Sequence, residues 1–305
     1  MDTVIALAGN PNSGKTTLFN ALTGARQHVG NYPGVTVEKK EGAYVENGNR
    51  FNIVDLPGTY SLTAYSLEEV VARDFLINEK PGMVINIVDG SSLERNLYLT
   101  VQFMEIGVPI CLALNMMDVA KTRGIEININ KLSKLLGLPV IPTVARSGKG
   151  KKELMATVAE RLKDRHIAPF RISYGDDVDN ALDTIEEKIR NNNFLTDTYQ
   201  ARWTALKYLE NDSRVVALGQ KTNPSFSKEI ERIVQGVSDH LRETLDTYPE
   251  AMIADYRYGY IKAILKQGVV HHEQDRNRLQ TSDRIDKVVT NRFMGPIIMI
   301  AVLMG

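Results

Sequence analysis

The sequence predicts an α/β fold with a mostly parallel sheet and one antiparallel edge strand, followed by an all-helical domain. Three observations predict it. Short apolar runs alternate with helix-period segments through the first half of the chain, strand-like runs stop after Pro169, and Asn47-Gly48 separates two runs that read as a hairpin. Near-continuous apolar runs separated by helices mark strands buried on both faces, as in a parallel sheet. At 305 residues the chain has room for two domains.

Taken in order, the apolar run 3–8 precedes a helical pattern over 15–23. Residues 36–46 and 49–55 flank Asn47-Gly48, a pair suited to a tight two-residue turn, so one strand there should run against the others at the sheet's edge. Runs at 83–89, 109–115 and 140–143 continue the sheet, with helical patterns at 93–105, 130–136 and 151–163. Beyond Asp176 only helical spacing remains. Val178, Leu182, Ile185 and Ile189 make one stripe, and Tyr199, Trp203 and Leu206 another. Ile230, Ile233, Val234, Val237, Leu241 and Leu245 make a third, and Met252, Tyr256, Tyr260 and Ile264 a fourth. Four or five helices are expected. Segment 269–282 is polar and unpatterned and reads as a linker that includes His271-His272. The expected domains are 1–168, 169–270, and a 271–305 tail.

Lys+Arg and Asp+Glu are both 37, a balance that argues against a broad nucleic-acid-binding surface. The lone cysteine, Cys111, sits in an apolar run and reads as a small buried hydrophobe; no disulfide framework can form. No signal peptide is expected at the N-terminus. The run "GPIIMIAVLMG" at 295–305 is almost wholly apolar but about half the ~20 residues that a membrane-spanning helix needs.

Gly9-Asn10-Pro11-Asn12-Ser13-Gly14-Lys15-Thr16 matches the phosphate-loop pattern G-x-x-x-x-G-K-[ST], placed after a strand and opening a helix, with Thr17 next in line. Glycines let successive backbone N–H groups face one concavity, and the helix N-terminus favours anions. Lys15 is expected on the terminal phosphates and the Thr16 hydroxyl on Mg²⁺, a hard ion that prefers oxygen. "DLPG" at 55–58 ends a strand; Asp55 there can hold Mg²⁺ through water and the Gly58 amide can meet a γ-phosphate. "NMMD" at 115–118 ends another. The Asp118 carboxylate can accept from both guanine N1–H and the 2-amino group, donors that adenine lacks. Asn115 would brace the loop and Met116 would cover the base. In Val144-Ala145-Arg146, the Ala145 N–H is a candidate donor to guanine O6. Phosphate loop, D-x-x-G, N-x-x-D and the Ala-Arg loop, in that order at strand ends, point to a Ras-like P-loop GTPase.

The chain resembles the ferrous iron transporter B family of prokaryotes. "GNPNSGKTTLFN" (9–20), "VGNYPGVTVEKKEG" (29–42), "DLPGTYSL" (55–62), "NMMD" and "SDRIDKVVTNRFMGP" (282–296) carry the resemblance, with Tyr32 where the family usually has Trp. It implies a GTP-hydrolysing cytosolic switch of a multi-pass inner-membrane Fe²⁺ transporter, whose first membrane helix begins in 295–305. It implies a helical domain like a dissociation inhibitor. Gly34, Val35 and Thr36 become the switch that senses GTP, with Thr36 completing the Mg²⁺ shell. Thr59 stands where Ras-like proteins carry a water-orienting Gln, so turnover should be slow. K⁺ is the implied activator, at Asn12 and the backbone around Gly30 and Tyr32; Asn12, Lys15, Thr36 and Gly58 form the catalytic set. Implied partners are GTP and GDP, the chain's own membrane part and small accessory proteins, with a second copy left open. A soluble GTPase of ribosome assembly or RNA modification is the alternative; a basic C-terminal domain would favour it, and this one is charge-mixed.

Overall fold

The structure is a computed structural model and describes residues 3–272 apart from 25–26, 47 and 164–169. The first strand, β1 (Thr3–Gly9), leads through the phosphate loop into α1 (Lys15–Thr23). Then come β2 (Gln27–Asn31), β3 (Glu38–Glu46), β4 (Asn49–Asp55), α2 (Leu67–Asn78), β5 (Met83–Asp89), α3 (Leu93–Ile106) and β6 (Ile110–Asn115). The α/β half continues with α4 (Met117–Thr122), β7 (Ile125–Ile127), α5 (Ile129–Leu136), β8 (Val140–Pro142) and α6 (Lys151–Arg161). Five helices follow: α7 (Asp176–Asn191), α8 (Ala201–Leu209), α9 (Ser213–Thr222), α10 (Pro224–Leu245) and α11 (Pro249–Lys266). A last strand, β9 (Val270–His272), closes the described chain.

The main sheet has the order β2-β3-β4-β1-β5-β6-β8. All pairings from β4 to β8 are parallel, and β3 runs against both of its neighbours. The expected antiparallel strand is therefore present, and β2 extends the sheet beyond it. Sequence reading gave no sign of β2, because its five residues are all exposed and carry no apolar alternation. Strand periodicity sorts β1 onto two faces. Ile5 and Leu7 pack with Leu18 and Phe19 of α1 and with Leu154 and Val158 of α6. Ala6 and Ala8 face the larger cluster, which joins α2, α3 and α5 to Val178, Ile185, Trp203 and Ile253 of the helical half. One apolar core thus runs from the sheet into the helices.

Side-chain caps fix several helix starts. Ser66 and Glu69 form a reciprocal capping box on α2, and Asn223 accepts from Phe226 N–H at the start of α10, where Pro224 supplies the first turn. Two sequence expectations need correction. The buried stripe of α11 runs through Ile253, Arg257, Ile261 and Ile264; of the expected Met252, Tyr256, Tyr260 and Ile264, Met252 and Tyr260 pack partly buried on its flank, and Tyr256 is 39% exposed. A buried arginine disguised the true face. Residue 269 does not open an unstructured linker either. Val269 is fully buried, and β9 pairs antiparallel with β7, placing His271 and His272 on a strand. The remainder of that expected linker and the apolar run 295–305 lie outside the described residues. Among those described, no helix is long and apolar enough to cross a membrane.

Candidate nucleotide-binding site

Parallel pairing brings the motifs together. Leu7 pairs with Asp55, Gly9 with Ile87, and Asp89 with Asn115, so the ends of β4, β1 and β6 open on the same edge of the sheet. The chain leaves β1 toward β2–β4 on one side and reaches β5 on the other. Ligands of open α/β sheets bind at such a topological switch point, beyond the carboxyl ends of the strands.

The phosphate loop is shaped by close approach. A Cβ on Gly9 would sit 2.5 Å from Ile87 O, and one on Gly14 would sit 2.2 Å from Asn115 Nδ2. Gly14 also has φ +89°, which favours glycine. Asn115 is the joint between motifs. Its Nδ2 donates to Ser13 O (2.8 Å), and its Oδ1 accepts from Ala145 N–H (2.9 Å) and at 3.4 Å from Thr143 Oγ1. The Ala145 amide, the candidate donor to guanine O6, donates here to Asn115 Oδ1. Thr143 is a member of the joint that sequence reading missed; nothing in its surroundings marks it. Met116 adopts φ 58° and precedes α4, in whose first turn Asp118 lies exposed. Val144 is half-buried and Arg146 exposed on the following turn.

At the other end of the loop, Lys15 Nζ contacts Asp55 Oδ1 at 2.5 Å, with both side chains largely buried. Burial holds the Asp55 carboxyl above its usual range, against the pull of Lys15 and Lys40. Lys15 is the cation that Asp55 meets in the buried site. The D-x-x-G segment lies on the phosphate loop: Thr59 N–H donates to Gly9 O (3.3 Å), and a Cβ on Gly58 would touch Pro11 at 3.5 Å. Tyr32 packs its side chain into the core beneath the switch turn. Its ring is buried edge-on against Phe75, and its hydroxyl donates to Asp55 O (3.1 Å). Burial, with Asp55 and Glu41 nearby, pushes the phenol pKa up. Tyr32 N–H also donates to Val37 O (2.9 Å), closing a turn in which Gly34 has φ +75° and Thr36 is exposed. Val35 packs on the core, while Gly30 pairs with Lys39 inside β2–β3.

Buried polar atoms test what this concavity is for. Among the described residues, five buried side-chain polar atoms have no partner, and three belong to the phosphate loop: both amide atoms of Asn10 and Ser13 Oγ. Unpaired buried polar groups are costly in a finished core and mark places completed by a ligand or water. The donors fit Mg²⁺ as well: the exposed Thr16 hydroxyl and the Asp55 carboxyl are hard oxygen ligands. Asn12, exposed at φ 65°, offers a further amide oxygen at the rim; Pro11 precedes it, and Thr17 lies exposed in the first turn of α1.

Phosphate loop, switch turn, D-x-x-G and N-x-x-D on one sheet edge define a G domain of the P-loop GTPase class, here followed by a helical domain. Family models agree on both halves: "Ferrous iron transport protein B" matches residues 3–158 and "FeoB cytosolic helical domain" residues 174–270. The chain belongs to the ferrous iron transport protein B family. It is 41% identical over 297 residues to a Porphyromonas gingivalis Fe(2+) transport protein A/Fe(2+) transporter FeoB fusion protein, covering 95% of this chain and 35% of that relative. Among solved structures, an S. thermophilus NFeoB variant bound to GDP superposes with TM-score 0.79 at 39% identity, covering 89% of this chain and 100% of that one. The cytosolic domain of the T. maritima FeoB iron transporter in its GMPPNP form gives 0.76 at 34% identity, covering 88% and 99%.

Proposed function

We propose that this chain is the GTP-hydrolysing switch of a membrane ferrous iron transporter, lying on the cytoplasmic face of the cell membrane. The observation that carries the reading is Asn115, which ties the phosphate loop to the Ala145 loop three residues before Asp118. Guanine selection and phosphate binding are thereby one rigid unit. The GDP- and GMPPNP-bound relatives support it.

In this reading Gly9–Thr17 enclose the phosphates with backbone N–H groups, and Lys15 moves from Asp55 to the terminal phosphates. Asp118 accepts the two guanine hydrogens, and Met116, Val144 and Arg146 line the base. Mg²⁺ held by Thr16, Thr36 and Asp55 supplies neutralisation of phosphate charge. Gly34, Val35 and Thr36 swing toward the γ-phosphate, which orders the switch. Gly58 follows. Thr59 is buried with its amide on Gly9 O, and a threonine does not reach an attacking water as a glutamine does. Turnover is therefore slow. K⁺ held by Asn12 with carbonyls near Gly30 and Tyr32 supplies the missing positive charge at the transition state. Fe²⁺ crosses the membrane through segments outside this chain, and the helical domain relays nucleotide state to them. Fusion of the P. gingivalis relative to a transport protein A supports a small accessory partner. Binding calorimetry with GTP and ATP, followed by hydrolysis in K⁺ and in Na⁺, tests the reading. GTP alone should bind, and K⁺ should accelerate turnover in the native chain but not in Asn12→Ala. ATP bound as tightly as GTP would overturn the assignment, and equal rates in the two salts would remove K⁺ from it.

A further inference from the structure

The strand β9 follows the helical domain in sequence but pairs inside the G domain, next to the residues that select guanine. Asp118 and the first residue of β7 are seven positions apart, joined by the short helix α4 and a turn at Gly124 with φ 66°. In the β7–β9 ladder Ile125 faces His272, Glu126 faces His271, and Ile127 faces Val270. Asn128 N–H extends the ladder by donating to Val269 O (2.8 Å). Val269 is fully buried in the main apolar cluster and hangs from the end of α11 by its own N–H on Leu265 O.

Packing links β7 to the guanine loop a second time. A Cβ on Gly90 would meet Asn115 O at 3.2 Å, Met117 Sδ at 3.3 Å and Ile127 Cδ1 at 3.4 Å. The backbone of the guanine box, the first residue of α4 and the last residue of β7 therefore converge on one glycine. Arg123 at the end of α4 adds a hydrogen bond to Ser91 Oγ (3.2 Å). A displacement of the loop that carries Asp118 has little free volume to dissipate in before it reaches β7, and β7 is hydrogen-bonded to β9.

We propose that β9 is a positioning element for guanine recognition: paired with β7, it fixes the loop Asn115–Asp118, and nucleotide on that loop in return orders β9. The proposal rests on the GTPase reading above. It gives the base side of the nucleotide its own route to residue 273 onward, separate from the γ-phosphate and its switch turn. Such coupling is reciprocal by thermodynamic necessity: what β9 does for GDP affinity, GDP does for β9.

Two measurements test it. The Asn128–Val269 bond makes Glu126 and His271 the next pair to exchange both backbone hydrogen bonds, since such pairs alternate along an antiparallel ladder. His271→Pro removes one of those donors, and His271→Ala keeps it. In the full chain, His271→Pro should raise the Kd for GDP by about fivefold or more, the lower range of allosteric couplings, with kcat at saturating GTP unchanged. His271→Ala should bind as the native chain does. Independently, saturating the native chain with GDP should slow amide exchange at 125–127 and 270–272 by a comparable factor. A native affinity in His271→Pro, or exchange in those segments that ignores GDP, overturns the proposal while leaving the GTPase reading intact. A native chain that binds no guanine nucleotide overturns both.

Discussion

The two halves of the molecule treat buried polarity in opposite ways. In the G domain, the phosphate loop buries an asparagine and a serine whose side chains have no partner; in the helical half, no such atom occurs among the described residues. There the buried charges are fully paired. Arg257, 1% exposed, makes two hydrogen bonds to Glu105 of α3 (both 2.7 Å) and one to Glu210 (2.5 Å), whose other oxygen takes Lys207 at 2.7 Å. Tyr174 OH donates to Glu105 as well (2.7 Å). On the next face, buried Arg73 of α2 meets Asp212, which also caps α9. One half is left for a ligand to complete; the other has its buried charges paired, partly with Arg73 of α2 and Glu105 of α3, and grips the first through them. The difference separates a site from a frame, and it can be attacked from either side.

The largest effect is expected from the frame. Arg257→Met leaves Glu105 and Glu210 buried without their main counter-charge, a change that costs about 3–5 kcal/mol. Thermal unfolding should show a drop of several degrees or more, while the folded fraction keeps its GDP affinity. A variant as stable as the native chain would mean that the cluster holds nothing together. The same pairing fixes an acid response. Burial alone would raise the Glu210 carboxyl, but Arg257 and Lys207 outweigh it and hold the group at about 2, against 4.5 for a free glutamate. A depressed carboxylate contributes stability above its unfolded pKa and loses it as pH falls. Stability should therefore decline between about pH 4.5 and 2, and less so in Glu210→Gln, as a denaturant series at each pH would record.

The next effect belongs to the site. On the proposed reading, Asp118→Ala deletes the acceptor for two guanine hydrogens and should weaken GDP binding about 100-fold, equivalent to ~3 kcal/mol of charge-assisted hydrogen bonding. Because Asp118 is exposed at the start of α4, the melting temperature without nucleotide should stay within a degree or two. An unchanged Kd would remove the carboxylate from base selection. Set beside Arg257→Met, the pair should dissociate completely: one variant loses stability and keeps binding, the other does the reverse.

How far the sequence could be read follows the same division. The site was legible because its chemistry is local: Gly9 to Thr16 are contiguous, and Asp55 and Asn115 each end an apolar run. What the sequence left out are pairings across long separations. Arg257 looks like a break in an apolar stripe until Glu105, 152 residues away, is found against it. Val270–His272 looks like linker because three residues carry no periodicity, and the partner that makes them a strand is β7. Tyr32 could be placed in the switch, but not against Phe75, since α2 had no expected position. Ala145 could be named as a donor, but not as one already taken by Asn115.

The smallest effect tests whether the frame's local signals matter beside its buried charges. Asn223 Oδ1 accepts from Phe226 N–H at 3.1 Å, satisfying one of the free amides at the start of α10, and Pro224 removes another. Asn223→Ala should cost about 1 kcal/mol, and Asn223→Asp, which keeps the acceptor, much less. Urea unfolding measures both, read as a shift in midpoint at constant slope. Phe226 beside the cap is buried and packs edge-on at 4.9 Å against Phe194, in the segment after α7, so the loss should stay local to that contact and leave GDP binding alone. Should the cap instead cost as much as Arg257, the helical half would owe its stability to the α10 start, and the grip on α3 would be incidental to it.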